Sequence, residues 1–253
     1  MKSARWRGTD ASPLAGEVPE ARPAAGCCRT PLPLRNTLCA TPSPRKRGNA
    51  GALERAWRIR LTHYDGALSL RDARARYFQT NDFGDDGGYS KRWVRIELGK
   101  IALYFPNLPS RVRAVRFHDL DHVLTGYETD LIGETEISAY EIASGCGAYG
   151  AAWVLNLQAF FTGLFLSPSR LFAAFRRGRQ CGSLYHEDFN EALLSERVGA
   201  ARTRLGIDHE LPDSIALADR MSFAGWLLVS GLFSLVGFAL LLAPLVALGL
   251  LLF

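Results

Sequence analysis

The sequence contains few cysteines, and their spacing excludes two common kinds of structural site. Five cysteines occur in 253 residues, and none forms a Cys-x-x-Cys pair. They are Cys27, Cys28, Cys39, Cys146 and Cys181. Such spacing matches neither a disulfide framework nor a zinc–thiolate site, and it suits a reducing compartment.

A basic face on the expected folded region is also missing. Residues 1–60 contain 12 Lys/Arg and 4 Asp/Glu, a balance of +8, whereas residues 61–253 contain 18 basic and 21 acidic residues, a balance of −3. The formal net charge of +5 therefore comes from the N-terminal segment. Since nucleic-acid-binding domains need a basic surface, we predict no nucleic-acid partner.

The N-terminal segment lacks any regular apolar pattern. Residues 1–51 are rich in Pro, Ala, Arg and Gly and show no helical or strand period. They also lack the apolar run of a secretory signal. Composition of this kind predicts a disordered basic leader. It could contact anionic lipid, or it could precede the true start of the protein near residues 50–55.

Charged residues are absent from the C-terminal segment, Met221 to Phe253, where Leu, Val, Phe and Ala dominate. One helix from Phe223 onward would extend about 45 Å, more than the roughly 30 Å of a bilayer core. We therefore predict that residues 221–253 form a transmembrane segment. It is either one helix, tilted or kinked near Pro244, or a helical hairpin. Nearby arginines, including Arg220, indicate the cytoplasmic side.

Residues 52–220 are expected to form a helical domain. Apolar periodicity predicts helices over 52–80, from Ser110 to about Thr125, from Leu131 onward and over 184–206. Ser110 and Asp130 would cap the second and third helices, and Gly126 would end the second.

Two further stretches leave alternatives open. Residues 93–105 could form a short helix or a strand. Residues 142–169 carry no charge and could form a membrane span or a core or interfacial helix. The predicted fold is mostly α, a helical bundle-like domain with a C-terminal membrane helix or helical hairpin.

The most informative string is His-Asp-Leu-Asp-His at 118–122, followed after eleven residues by Glu134. His118 and His122 are one turn apart on a helix face, with side chains about 6 Å apart. Asp119 leans to the same side, and Glu134 comes from the next helix. Imidazole and carboxylate groups in this pattern predict a divalent metal site. Zinc is favoured, with manganese and iron as alternatives.

Burial favours the metal over a purely structural role. Val112 and Val115 lie on the same helical stripe as Asp119 and His122, so this stripe should face the interior. Carboxylates and imidazoles without partners would cost several kcal/mol each there. The alternative is that His118 and Asp119 form local caps or ion pairs while His122 is a core histidine whose hydrogen bonds are satisfied.

The motif His-Asp-x-x-His-x11-Glu resembles the signature of the coenzyme Q biosynthesis protein 4 family. The resemblance covers roughly residues 60–210. It is supported by Val123-Leu124-Thr125-Gly126-Tyr127, Asp130, Gly133-Glu134 and the segment from Phe189 to Ile207. This sequence departs from the family's pattern in its strongly hydrophobic C-terminal tail and in its first fifty residues, which have no counterpart.

This resemblance implies a helical protein that binds isoprenoid lipid beside the metal and works in ubiquinone synthesis. The family is implicated in removing the ring C1 carboxylate with hydroxylation there, and in organising the other enzymes. Arg111, Arg113 or Arg116 could pair with that carboxylate, and Trp153 to Phe165 could line an isoprenoid slot. The expected location is the cytoplasmic face of the inner membrane, and a homodimer is a further expectation.

Two other functions fit the same residues. A non-catalytic lipid-binding scaffold would use a structural zinc with four protein ligands, leaving no open position. A membrane metallohydrolase would use Asp119 as base and Glu134 as third ligand, by analogy with His-Glu-x-x-His helices. If the chain is an enzyme, we expect a metal-dependent oxidative decarboxylase of a prenylated quinone precursor.

Overall fold

The part of the chain that the structure describes is built mainly from helices. A computed structural model describes residues 55, 57, 60–61, 63–98, 101–212 and 214–252. The helices are α1 (Leu70–Thr80), α2 (Pro109–Thr125), α3 (Leu131–Ser144), α4 (Gly150–Leu166), α5 (Pro168–Gly178), α6 (Glu191–Ser195), α7 (Val198–Leu205) and α8 (Leu217–Leu252). The mostly α fold is therefore as predicted. The predicted leader and its boundary at residue 51 lie outside the described residues.

Two short strands form a hairpin before α2. Strand β1 (Trp93–Leu98) pairs antiparallel with β2 (Ile101–Pro106), in a register that sets Trp93 opposite Pro106. The strand alternative for residues 93–105 is thus correct, although the segment forms two strands rather than one.

The bounds of α2 follow from the residues at its ends. Ser110 does not cap this helix; Leu108 is the cap and Pro109 is the first helical residue. Proline suits that position because its missing N–H would have no partner in the first turn. Gly126 ends the helix as predicted, with φ of 67°, and its N–H donates to the His122 carbonyl. The helix therefore stops one turn after His122.

Helix α3 starts at the predicted position. The Asp130 side chain accepts a hydrogen bond of 2.6 Å from the Gly133 N–H, as an N-cap should. Glu134 consequently lies in the first turn of α3. The rest of α3 packs mainly against α4 and α5, which anchors Glu134 to the core.

Two predicted helices are broken by the same long-range contact. Residues 63–69 are not helical, so the helix predicted over 52–80 is wrong for that stretch, and α1 begins only at Leu70. The helix predicted over 184–206 is also wrong, because it divides into a 3-10 turn, α6 and α7. Backbone bonds join the two breaks: Leu70 N–H to Glu196 O at 2.8 Å, and Val198 N–H to Leu68 O at 2.9 Å.

The uncharged segment 142–169 contributes the 17-residue helix α4, which is shorter than a typical membrane span. It packs against α3 on one side and α8 on another. Helix α8 is one continuous helix that passes through Pro244, so the hairpin alternative is not adopted. Its 27-residue stretch Leu217–Ala243 is long and apolar enough to cross a membrane.

Candidate metal centre

Three of the four predicted ligands come together between α2 and α3. The Nε2 atoms of His118 and His122 are 3.2 Å apart. The two carboxylate oxygens of Glu134 lie 3.4 Å from His118 Nε2 and 3.5 Å from His122 Nε2. These three side chains could hold a metal ion.

The spacing of these atoms fits a small divalent cation. With zinc–ligand distances of about 2.0–2.2 Å, neighbouring ligand atoms in a tetrahedral site are about 3.3 Å apart. The observed separations, between 3.2 and 3.5 Å, are of this size, and the two that involve Glu134 end on its two different oxygens. The residues present therefore fit a small divalent cation.

Hydrogen bonds at the other ring nitrogens turn both imidazoles toward the same point. His122 Nδ1 donates to the Tyr127 carbonyl at 2.8 Å, and His118 Nδ1 donates to Glu141 Oε1 at 2.9 Å. When both rings are neutral, each Nε2 carries a lone pair, and two lone pairs this close repel each other unless a proton or a cation lies between them. Metal-binding histidines are typically oriented by such partners.

Glu141 is itself held from two other elements. Its Oε2 accepts from Asn156 Nδ2 on α4 at 2.5 Å and from the Tyr185 hydroxyl at 3.0 Å. Burial alone would raise the pKa of Glu141, but His118 and these hydrogen bonds lower it. The carboxylate is thus a charged acceptor in the core and fixes the His118 ring.

Asp119, the fourth predicted ligand, lies beside the three but does not join them in this arrangement. Its Oδ2 accepts a hydrogen bond from the Tyr89 hydroxyl. Burial raises its pKa, against the opposing effects of Tyr89, His118 and His122. Asp119 is therefore close enough to the histidines to interact with them electrostatically.

Glu141, Asn156 and Tyr185 were not predicted as part of the site. One sequence signal could have found the first of them. Glu141 follows Glu134 by seven residues, two helical turns along the same face, and directly precedes the uncharged stretch. A carboxylate in such surroundings needs a buried partner.

A basic cavity lies near the start of α2. It has a volume of about 310 Å³ and is lined by Tyr89, Asn107, Pro109, Val112, Arg113 and Arg116. The Arg116 guanidinium lies 5.5 Å from the centre of the Tyr89 ring. Arg111 does not line the cavity but donates to Asn107 Oδ1 at 2.9 Å. Since Tyr89 also bonds Asp119, the cavity wall is connected to the residue that follows His118.

Metal binding is expected to release a proton and to strengthen as pH rises. Burial would lower the pKa of His118, but Glu141 and Glu134 outweigh it and hold that pKa well above its usual value. The proton on His118 therefore stabilises the metal-free fold fully at pH values below the ordinary His pKa of about 6.5. This stabilisation is lost as the pH rises through the raised pKa of His118. A metal needs the neutral imidazole.

Calorimetric titration of zinc in buffers with different ionisation enthalpies measures this proton. His63→Gln, which changes an exposed histidine outside the site, should leave the released proton unchanged. Zinc binding at neutral pH without proton release would contradict the prediction.

Comparisons with protein-family models, curated proteins and solved structures gave no match to this chain. A function for the chain therefore has to be inferred from its own residues and their geometry.

Proposed function

We propose that this chain is a membrane-attached metal protein of ubiquinone synthesis that acts on a polyprenylated aromatic ring. The observation that carries the proposal is the triangle of His118, His122 and Glu134, formed by residues with the spacing His-Asp-x-x-His-x11-Glu. The same motif underlies the resemblance to the coenzyme Q biosynthesis protein 4 family. Zinc is the first choice of ion, with manganese and iron as alternatives.

The charges around the site suit removal of a ring carboxylate. His118, His122 and Glu134 would hold a cation, which would supply positive charge next to the substrate carboxylate. As carbon dioxide leaves, the ring carbon would take up a proton from water. Arg113 and Arg116, which line the basic cavity, can pair with an anionic group of the substrate. Hydroxylation at the same carbon would require an oxidant and a redox-active ion in place of zinc, which has no redox chemistry.

Glu134→Gln tests the proposal by separating metal content from pathway output. The amide is a poorer metal ligand than the carboxylate, so we expect the variant to lose its metal. In cells where it is the sole copy, ubiquinone should fall and a carboxylated prenylated precursor should accumulate. Elemental analysis of the purified protein and mass spectrometry of extracted quinones make the two measurements.

Glu128→Gln is the matched control, because Glu128 is an exposed carboxylate six residues earlier. It should leave both metal and ubiquinone unchanged. Loss of metal in Glu134→Gln together with a normal ubiquinone level would contradict a catalytic role for the metal. That outcome would favour a lipid-binding scaffold with a structural metal.

A metallohydrolase is the second candidate, because the structure leaves Asp119 outside the three-ligand set. Two histidines and a glutamate are the zinc ligands of several metalloproteases, which use a neighbouring carboxylate as base. Asp119 occupies the neighbouring position, but its buried oxygen is bonded by Tyr89. The family resemblance instead implies that Asp119 is a ligand. In our proposal Asp119 would join the other three residues in holding the metal.

Asp119→Asn distinguishes these roles. As a ligand, Asp119 should be needed for metal affinity, and we expect a loss of at least about 10-fold, the lower limit found for outer partners of metal sites. Tyr89→Phe serves as comparison, because it removes the hydrogen bond and keeps the carboxylate. Unchanged zinc affinity in Asp119→Asn would overturn the ligand role, and loss of a hydrolytic activity alone would favour the second candidate.

A further inference from the structure

Helix α4 exposes a row of large apolar side chains on a helix that has no charged residue. Val154, Leu155, Phe165 and Leu166 are between 41% and 71% exposed. They recur at helical spacing, so they lie on one face. Large apolar side chains exposed on one face mark contacts with lipid or with another protein, and here the polar residues Gln158 and Thr162 lie between the two apolar pairs.

The interface between α4 and α8 has the features of helix packing in membranes. Ser230 and Ser234 on α8 are buried, and Gly231 lies against the Phe161 ring. Small residues at four-residue spacing allow helices to approach closely in lipid. Ser234 Oγ donates to Gln158 Oε1 at 3.2 Å, and Ser230 Oγ donates to the Trp226 carbonyl at 2.5 Å. These serine hydroxyls thus find acceptors within the helix pair, as hydrocarbon surroundings require.

The contacts of α4 lie just inside the apolar part of α8. The last charged residues of α8 are Asp219, which pairs with Arg179 at 2.8 Å, and Arg220. Helix α4 then contacts α8 at residues 223–234, for example where Trp153 stacks on Trp226 at 5.3 Å. This stretch spans roughly 16 Å of helix, about half the thickness of a bilayer core.

We propose that the acyl chains of one bilayer leaflet, on the Asp219 side, cover the exposed face of α4. The occupant is lipid rather than protein because the face continues the apolar surface of α8, a helix long enough to span the membrane. This inference rests on the membrane attachment in the proposed function. It does not depend on the chemistry at the metal.

The proposed arrangement brings the metal ligands close to lipid. On its buried side, α4 supplies Asn156, which donates to Glu141 and thereby holds His118. One helix, about 10 Å in diameter, then separates acyl chains from the hydrogen bonds that orient a metal ligand.

Depth-dependent quenching tests this placement on the full chain in phosphatidylcholine vesicles. An encoded fluorescent amino acid replaces Phe165, Leu155, Leu240 or Ala192, one in each variant, and circular dichroism checks the folding of each variant. Leu240 reports the exposed face of α8, and Ala192 reports the exposed surface of α6. The quenchers are spin-labelled phosphatidylcholine in the bilayer and iodide in water.

We expect probes at 165 and 155 to follow the probe at 240, with strong quenching by lipid and weak quenching by iodide. The probe at 192 should show the reverse. If 165 and 155 behave like 192 while 240 is quenched by lipid, the α4 inference fails and the attachment through α8 stands. Shielding of 165 and 155 from both quenchers also overturns it and indicates a second copy of the chain on this face. If spin-labelled lipid does not quench the probe at 240, the membrane attachment through α8 is itself contradicted.

Discussion

Glu141→Gln is expected to weaken metal binding by about 10- to 100-fold, the range found when outer partners of metal sites are lost. Glu141 accepts the Nδ1 hydrogen of His118 and leaves the Nε2 lone pair toward Glu134 and His122. A neutral amide accepts that hydrogen less strongly, and its NH₂ group would face either the ring hydrogen or the Asn156 donor. Competition titration with a chromophoric chelator measures the affinity of the purified protein for zinc.

Glu136→Gln is a matched control on the same helix. Glu136 is also a buried carboxylate, but it is bound by Arg60 at 3.2 Å and by Arg170 at 2.5 and 2.9 Å. Its replacement should lower the free energy of unfolding, on the order of 3 kcal/mol as for other broken buried ion pairs, and leave zinc affinity unchanged. Equal affinity losses in both variants would show that general destabilisation, rather than orientation of His118, explains the effect.

The sequence predicts those parts of the site that depend on local spacing. His118 and His122 face the same way because they are four residues apart on one helix, and Asp130 fixes where Glu134 lies because it caps the next helix. Such relations require no knowledge of the tertiary fold. They account for why the sequence brings three of the four candidate ligands together from two helices.

Long-range contacts explain what the sequence did not predict. The role of Glu141 depends on Asn156 and Tyr185, which come from elements that follow it by 15 and 44 positions. The breaks near residues 69 and 197 likewise arise because two distant segments form backbone bonds with each other. Helical periodicity persists in both segments, so the pattern alone cannot show where these bonds replace the helical ones.

The uncharged segment 142–169 shows a second limit of prediction from sequence, which concerns the surroundings of a helix. Its composition fits a core helix and a membrane helix equally well, because both surroundings exclude charge. The structure gives α4 one face that bonds Glu141 through Asn156 and another that exposes Phe165. Only the three-dimensional position beside α8 distinguishes those faces.

Arg202 is expected to contribute strongly to stability, because it satisfies backbone carbonyls from two segments. Its guanidinium donates to the carbonyls of Leu124 and Val123, at 2.8 and 3.1 Å, and to those of Leu61 and Tyr64, at 2.6 and 3.2 Å. The first two belong to the last turn of α2, whose carbonyls have no partner within the helix. Burial lowers the pKa of Arg202 to about 10, which reflects the cost of placing this charge in the core.

Arg202→Met should therefore reduce the free energy of unfolding by about 3–5 kcal/mol, because unpaired buried polar groups cost about 1–3 kcal/mol each and the remaining groups can relax only in part. Arg204→Met, two positions later on α7, removes an arginine that pairs with Glu187 and Glu196 at the surface. Such pairs contribute at most about 1 kcal/mol, so this variant should remain close to the parent. Denaturant unfolding in detergent micelles, followed by circular dichroism, measures both. If Arg202→Met lowers the free energy of unfolding as little as Arg204→Met does, the carbonyls at the end of α2 must find other partners. The segment that carries His122 would then not depend on Arg202.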